Sequence, residues 1–194
     1  YILSKNATPS FKGHHGYPRT ICSAIDEVVV HGIPNQSQVL QIGDLFTVDC
    51  GVTYKGWITG AARSIAIGEV SNEKIRLLKT AKEALEKGID AAQPGNHVGD
   101  ISKAIETVIK KAGFKVIRDL TGHGVGHKLH EPPVVNNYFN GKMGEKLKPG
   151  MTIAIEPIFA VSSSSIITLD DKWTIITADG SCAVQEEETV LITE

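Results

Sequence analysis

Two acids in this chain are introduced by the same short phrase. Leu40-Gln-Ile-Gly43-Asp-Leu-Phe-Thr-Val-Asp49 and Leu147-Lys-Pro-Gly150-Met-Thr-Ile-Ala-Ile-Glu156 place Leu, Gly and a final carboxylate at matching positions. In each copy a turn glycine leads into an apolar run, the pattern of a turn followed by a buried strand. A carboxylate at the end of such a strand is too costly to desolvate alone, so it needs a positive partner. Either acid taken singly fits a structural ion pair. Two acids placed by an internal repeat point instead to two half-domains presenting carboxylates to one centre, as a metal site requires.

The densest run of unusual residues is Thr121-Gly-His123-Gly-Val-Gly126-His127-Lys-Leu129-His130-Glu131-Pro-Pro. Glycines on both sides of His123 let a ligand come close to the backbone and leave the imidazole free to enter a cleft. A flexible surface loop with solvated histidines is the plain alternative. A phosphate loop is discounted, because no Gly-Lys-Ser/Thr ending follows and no helix opens here. Near the end of the chain, Glu187 lies in Gln185-Glu-Glu-Glu188, followed by Thr-Val-Leu-Ile-Thr. Strand alternation puts Glu187 on one face and Glu186 and Glu188 on the other. Asp49, His123, Glu156 and Glu187 together make an oxygen-rich set with one imidazole. That set suits Mn, Fe, Co or Zn and does not resemble a structural zinc site, because no thiolates are grouped. Shared carboxylates commonly bridge two metals about 3.5–4 Å apart that activate water for hydrolysis.

The elements that must position these residues follow from pattern. The first twenty residues read as loop. Residues 21–34 read as a strand through Val28-Val29-Val30 that runs into a turn at His31-Gly-Ile-Pro34. The first repeat strand covers 44–54, residues 55–60 form a hairpin turn, and a partner strand runs from Ala62 to Ile67. Ser71 or Asn72 caps a helix with apolar positions Ile75, Leu78, Ala81, Leu85 and Ile89, stopped by Pro94-Gly95. A second helix begins near Asn96 or Asp100, buries Ile101, Ile105, Val108 and Ile109, and ends at Gly113. Strands are expected at 114–119, 151–158, 165–169, 173–178 and 182–192. No boundary divides the chain, so residues 1–194 read as one α+β domain with two helices over a curved, largely antiparallel sheet.

Composition narrows the function classes. The 194 residues are 41% hydrophobic and 22% charged, with a formal net charge of −2, an ordinary balance for a single soluble domain. There is no basic field for nucleic acid. No apolar run is long enough to span a membrane, and no signal-peptide pattern opens the chain. Three cysteines, Cys22, Cys50 and Cys182, form no CxxC pair and read as free thiols in a reducing cytoplasm.

Taken in order, these residues resemble the type I methionine aminopeptidases over essentially the whole chain. The resemblance rests on His-His-Gly-Tyr-Pro (14–18), Val-Val-His-Gly-Ile-Pro (29–34), Val-Asp-Cys-Gly-Val (48–52) and Thr-Gly-His-Gly-Val-Gly (121–126). His-Glu-Pro-Pro (130–133) and the second repeat copy through Pro157 complete it. It implies the pita-bread fold, a pseudo-twofold curved antiparallel sheet with helices outside. It also implies a chain lacking the family's usual N-terminal helix and extreme C-terminus. By position, Asp49, His123, Glu156 and Glu187 fall on metal ligands for one or two divalent ions, and Glu156 is also catalytic. His31 and His130 fall on the histidines that hold the peptide and steady the tetrahedral intermediate. Tyr17, Cys22, Leu129 and Trp173 would line the methionine pocket, an apolar slot suited to an unbranched thioether.

The family's remaining ligand is an aspartate at the position of Gly60, in Ile58-Thr-Gly60-Ala-Ala-Arg63. A glycine coordinates nothing through a side chain. The resemblance therefore implies a cytoplasmic, monomeric metallo-exopeptidase that removes N-terminal methionine from nascent peptides, with the ribosome as a further partner. Gly60 allows an alternative, a weak or inert relative kept as a peptide- or protein-binding module. A proline-specific peptidase or creatine-hydrolysing enzyme of the same fold ranks last.

Overall fold

A computed structural model describes residues 1–194. The strands run β1 (Thr8–Pro9), β2 (Ile21–Ile25), β3 (Val28–Val30), β4 (Leu45–Tyr54) and β5 (Trp57–Ala66), followed by helices α1 (Asn72–Ala91) and α2 (Val98–Lys111). Then come β6 (Lys115–Val116), β7 (Thr121–Gly124), β8 (Glu131–Asn136), β9 (Thr152–Ile155) and β10 (Ile158–Ala160). The chain closes with β11 (Ile166–Thr168), β12 (Ile175–Thr177), β13 (Ala183–Gln185) and β14 (Glu187–Leu191). One eight-stranded sheet has the order β1-β4-β5-β14-β9-β7-β8, with β2 also on β4; two three-stranded sheets, β13-β10-β6 and β11-β12-β3, complete the fold. All pairings are antiparallel.

The repeat seen in sequence is a repeat in space. Gly43 and Gly150 both take positive φ, 103° and 91°, the conformation that costs glycine least. Each closes the same turn: Asp44 N–H donates to Gln41 O at 3.1 Å, and Met151 N–H to Lys148 O at 3.2 Å. Each glycine N–H then reaches the end of the neighbouring strand, Gly43 to Ile67 O and Gly150 to Ile192 O, both at 2.9 Å. The two copies therefore enter β4 and β9 identically, and β5 and β14 meet at the pseudo-twofold centre of the sheet.

The helices cover the outer face. Ser71 caps α1, its Oγ accepting from Lys74 N–H at 3.3 Å. The buried face of α1 is Leu77, Ala81, Ala84, Leu85 and Gly88. This differs from the expected stripe, since Ile75 is exposed and Leu77 is fully buried. On α2, Ile101, Ile105 and Ile109 are fully buried as expected. The helix starts at Val98 behind His97, whose N–H donates to the Asp100 carboxylate at 2.9 Å. These faces meet Ile153, Ile155 and Phe159 in the main core. No helix is long and apolar enough to cross a membrane.

Several expected boundaries move. Residues 21–34 form two strands, because Asp26 turns the chain at φ 49° and is pinned by Leu45 N–H at 2.9 Å and Lys74 Nζ at 2.6 Å. The hairpin turn is only Lys55-Gly56, both at positive φ, so β5 begins at Trp57 and includes Gly60. The expected strands 151–158 and 182–192 each break in two and change sheets, at Glu156-Pro157 and at Glu186. The segment 121–136 holds two strands beyond those expected, β7 and β8. Its glycines permit close strand approach, since a side chain on Gly122 would collide with the Ala154 carbonyl oxygen.

Leu77→Ala should lower unfolding free energy by about 2–5 kcal/mol through cavity formation, and Ser71→Ala by about 1 kcal/mol through loss of the cap. Urea unfolding followed by circular dichroism checks both, and the larger loss must belong to Leu77.

Candidate metal centre

Strand register lays the candidate residues on one face of the large sheet. Asp49 of β4 and Glu187 of β14 both pair with Ala62 of β5, from opposite sides. Glu156 follows Ile155, which pairs with Glu188, so it extends the same row. Two residues along each strand, hence on the same face, runs a second row. His123 pairs with Ala154, Ala154 with Thr189, and Thr189 is hydrogen-bonded to Gly60 at both N and O, at 2.9 and 3.0 Å. Alanine and glycine in the middle of both rows leave a hollow between the acids. A cleft of about 150 Å³ opens there.

Every residue expected at the site borders this cleft: Asp49, His123, Glu156 and Glu187, the histidines His31 and His130, and Tyr17, Cys22, Leu129 and Trp173, with Gly60 beside them. His127, from the same glycine-rich run, turns outward to stack on Trp57 at 4.0 Å. Residues that pattern alone did not single out also reach the cleft, chiefly Gln185, Thr189, His14 and Phe11. Gln185 Nε2 donates to Glu156 Oε2 at 3.3 Å, and Asn137 Nδ2 to Glu156 O at 2.9 Å, so Glu156 is held by side chain and backbone alike. The only sequence hint for Gln185 was its position two residues before Glu187, on the same side of a strand.

Electrostatically the hollow lacks a positive charge. Burial first, then mutual repulsion, drives the carboxyl pKa of Asp49 and of Glu156 well above the ordinary range. Glu187 is pushed up to about 7 by burial and by Glu188, against a smaller opposing pull from Arg63. Asp49 Oδ1 is buried with no hydrogen-bond partner. His123 lies with Nδ1 2.8 Å from the Gly124 carbonyl, so Nδ1 carries the proton and Nε2 presents a lone pair. That lone pair faces Glu156 Oε1 at 3.5 Å. Clustered buried carboxyls short of donors fit a divalent cation, and a backbone-anchored neutral imidazole is the form a metal ligand takes.

Gly60 borders the same cleft. A side chain there would begin 2.8 Å from Glu187 Oε1, with no other atom than those of the Glu187 carboxylate nearby. As the residues stand, no three His, Cys, Asp or Glu side chains aim at one point, and Glu187 leans into the space at Gly60. Glu186 and Glu188 do not enter the cleft. The expectation of a regular strand fails here, since Glu186 sits at the break between β13 and β14 and is buried, accepting from Ser64 N–H at 3.1 Å.

The apolar side of the cleft is built from Tyr17 and Trp173, edge to face at 5.1 Å. The Tyr17 hydroxyl is directed at the carbonyls of Gly32 and Ile21, at 2.9 and 3.0 Å, so the ring acts as a wall. Burial raises the Cys22 pKa to about 12, so it remains a thiol and neither attacks nor coordinates at neutral pH. His31 holds positive φ, 59°, in a strained backbone state for a non-glycine residue. Burial and neighbouring imidazoles, His123 first among them, bring His130 down to about 4.

The family model for metallopeptidase family M24 matches residues 3–194. The chain is 45% identical over 192 residues to the methionine aminopeptidase of Clostridium acetobutylicum, covering 99% of this chain and 77% of that protein. It is 40% identical over 194 residues to methionine aminopeptidase 1 of Bacillus subtilis, covering 100% and 78%. The crystal structure of the methionine aminopeptidase of Thermotoga maritima superposes with a TM-score of 0.97 at 39% identity, covering 100% and 78%.

In the presence of chelator, Glu187→Gln should stabilise the protein relative to wild type, increasingly with pH. The raised carboxyl costs nothing below the unfolded carboxylate pKa, and the cost grows as pH climbs to about 7. Melting temperatures from pH 4 to 8 test this, and excess Mn(II) should reverse the order by stabilising wild type more. Equal pH slopes for the two proteins would contradict the acid cluster.

Proposed function

Because the chain belongs to metallopeptidase family M24, with methionine aminopeptidases matching it end to end, we propose that it removes the N-terminal methionine of nascent peptides. The single observation that carries the reading is the row of buried acids, Asp49 and Glu187 about Ala62 with Glu156 beyond, opening beside an apolar slot. Asp49, His123, Glu156 and Glu187 would hold a divalent ion of the Mn, Fe, Co or Zn group. When bound, such an ion lowers the pKa of water so that it attacks at neutral pH.

The remaining work falls to side chains. Glu156, anchored by Gln185 and Asn137, takes the proton of the attacking water. His130 is neutral at pH 7, its pKa near 4, so it donates an N–H to the carbonyl oxygen as charge develops there. His31 holds the peptide against the Trp173 wall, from 6.4 Å between rings. The methionine side chain lies among Tyr17, Cys22, Leu129 and Trp173, where polarizable sulfur meets aromatic faces. Three unpaired cysteines suit the cytoplasm, where such peptides emerge.

Gly60 removes one carboxylate from the centre and with it part of the charge that retains the metal. We therefore assign this chain a lower metal affinity than its relatives with an acid there, and slower turnover at limiting metal.

A Met-Ala-Ser peptide with Mn(II) or Co(II) should release methionine, and no release with any divalent metal at high protein concentration would reject the assignment. His130→Ala should lower kcat about a hundredfold or more with the fold intact by circular dichroism. Gly60→Asp should tighten Mn(II) binding by about tenfold or more, since carboxylate count tunes divalent affinity over decades. Titration calorimetry reads that gain, and unchanged affinity would mean that position 60 does not face the metal.

A further inference from the structure

At residue 186 the chain leaves one sheet and joins another. β13 pairs with β10 in a three-stranded sheet, and β14 pairs with β5 and β9 in the large one. The two residues flanking the crossing both serve the cleft: Gln185 holds Glu156, and Glu187 stands in the row of acids. On the β5 side main-chain pairing is short, since the β5–β14 ladder has only two residue pairs, Glu187 with Ala62 and Glu188 with Ala61, which leaves room for side chains to fix the crossing there.

Arg63 and Ser64 of β5 supply that fixing. Arg63 Nη1 donates both to Ala62 O at 2.8 Å and to Glu187 O at 2.7 Å, joining the carbonyls of two paired residues where the ladder stops. Arg63 Nη2 bonds the Glu188 carboxylate, and Nε lies 3.9 Å from Glu186 Oε2. Glu186 Oε1 takes the Ser64 N–H, and Ser64 Oγ donates to Gln185 O at 2.7 Å, with Thr47 Oγ1 2.6 Å behind it. Residues 185 to 188 are thus each tied to the Arg63-Ser64 step of the neighbouring strand. The Arg63–Glu188 pair is half exposed and by itself worth little in water. The consequential contact is the charge-assisted bond to the Glu187 carbonyl, which fixes the backbone carrying that carboxylate.

We propose that Arg63 is a positioning residue for the metal centre. Through the main chain of residues 185–188 it sets where the Glu187 carboxylate and the Gln185 amide enter the cleft. This rests on the reading that Glu156 and Glu187 hold a divalent ion. Only a planar fork reaches two carbonyls and two carboxylates at once, so lysine replaces arginine only in part. Arg63 itself touches neither substrate nor metal.

Three proteins decide the question: wild type, Arg63→Met and Arg63→Lys, each titrated with Co(II) alone by calorimetry. Arg63→Met should weaken Co(II) binding by about ten- to a hundredfold, the range for residues that orient ligands. Its kcat on a Met-peptide at saturating Co(II) should fall while KM changes less than twofold, and Arg63→Lys should recover part of both losses. Hydrogen exchange should accelerate over residues 183–191 in Arg63→Met and stay unchanged in α2. Wild-type Co(II) affinity in Arg63→Met, or exchange unaltered at 183–191 or raised equally throughout, would overturn the proposal. If wild type itself takes up no Co(II), the reading of the centre fails, and the exchange pattern still decides whether Arg63 holds the crossing.

Discussion

Three carboxylates that repel one another, buried on one sheet face, are the constraint around which this protein is arranged. Asp49, Glu156 and Glu187 each stand in low dielectric with their charged forms disfavoured by burial. Such a cluster persists only if the fold is strong enough to hold it or if a cation compensates it. The fold meets the first condition, and the donor set suits the second. The row lies across continuous antiparallel ladders, backed by a core of fully buried residues including Leu77, Ile101, Ile105, Ile153 and Ile155. The chemistry of the donors, an orphaned Asp49 oxygen and an imidazole lone pair facing Glu156, calls for a divalent ion.

Duplication explains how the geometry is reached with so little sequence. One turn, used at Gly43 and again at Gly150, feeds one strand into the sheet on each side of the β5–β14 centre. Each copy delivers its acid to the same row from its own half. Small residues then matter as much as ligands. Ala62 and Ala154 occupy the middle of the rows, where any larger side chain would fill the hollow the acids surround. The apolar wall beside it includes Tyr17, whose hydroxyl is directed away toward Gly32 and Ile21.

Gly60 borders the hollow as a position without a side chain. The Thr189 hydroxyl ties the Gly60 backbone through both its N and O atoms. Glu187 leans toward the space, and Arg63 grips the strand behind it. The centre thus depends more heavily on how Glu187 is held than a centre with an additional carboxylate would.

The sequence by itself determined the repeat, the two helices and the α+β fold class, and its family resemblance supplied the candidate site residues. Those features are local: a turn glycine before an apolar run, a serine cap, and acids and histidines in characteristic company. Only the tertiary structure decided what those residues face. It split residues 21–34 at Asp26, formed two paired strands from the run at 121–136, and buried Glu186 at the crossing between two sheets. Gln185 and Arg63 acquired their roles in the same way. Each depends on a partner far along the chain, Glu156 for the one and Glu187 for the other. Side-chain period tells which way a residue points along its own strand, but the identity of its neighbour is set by long-range register, which no local pattern encodes.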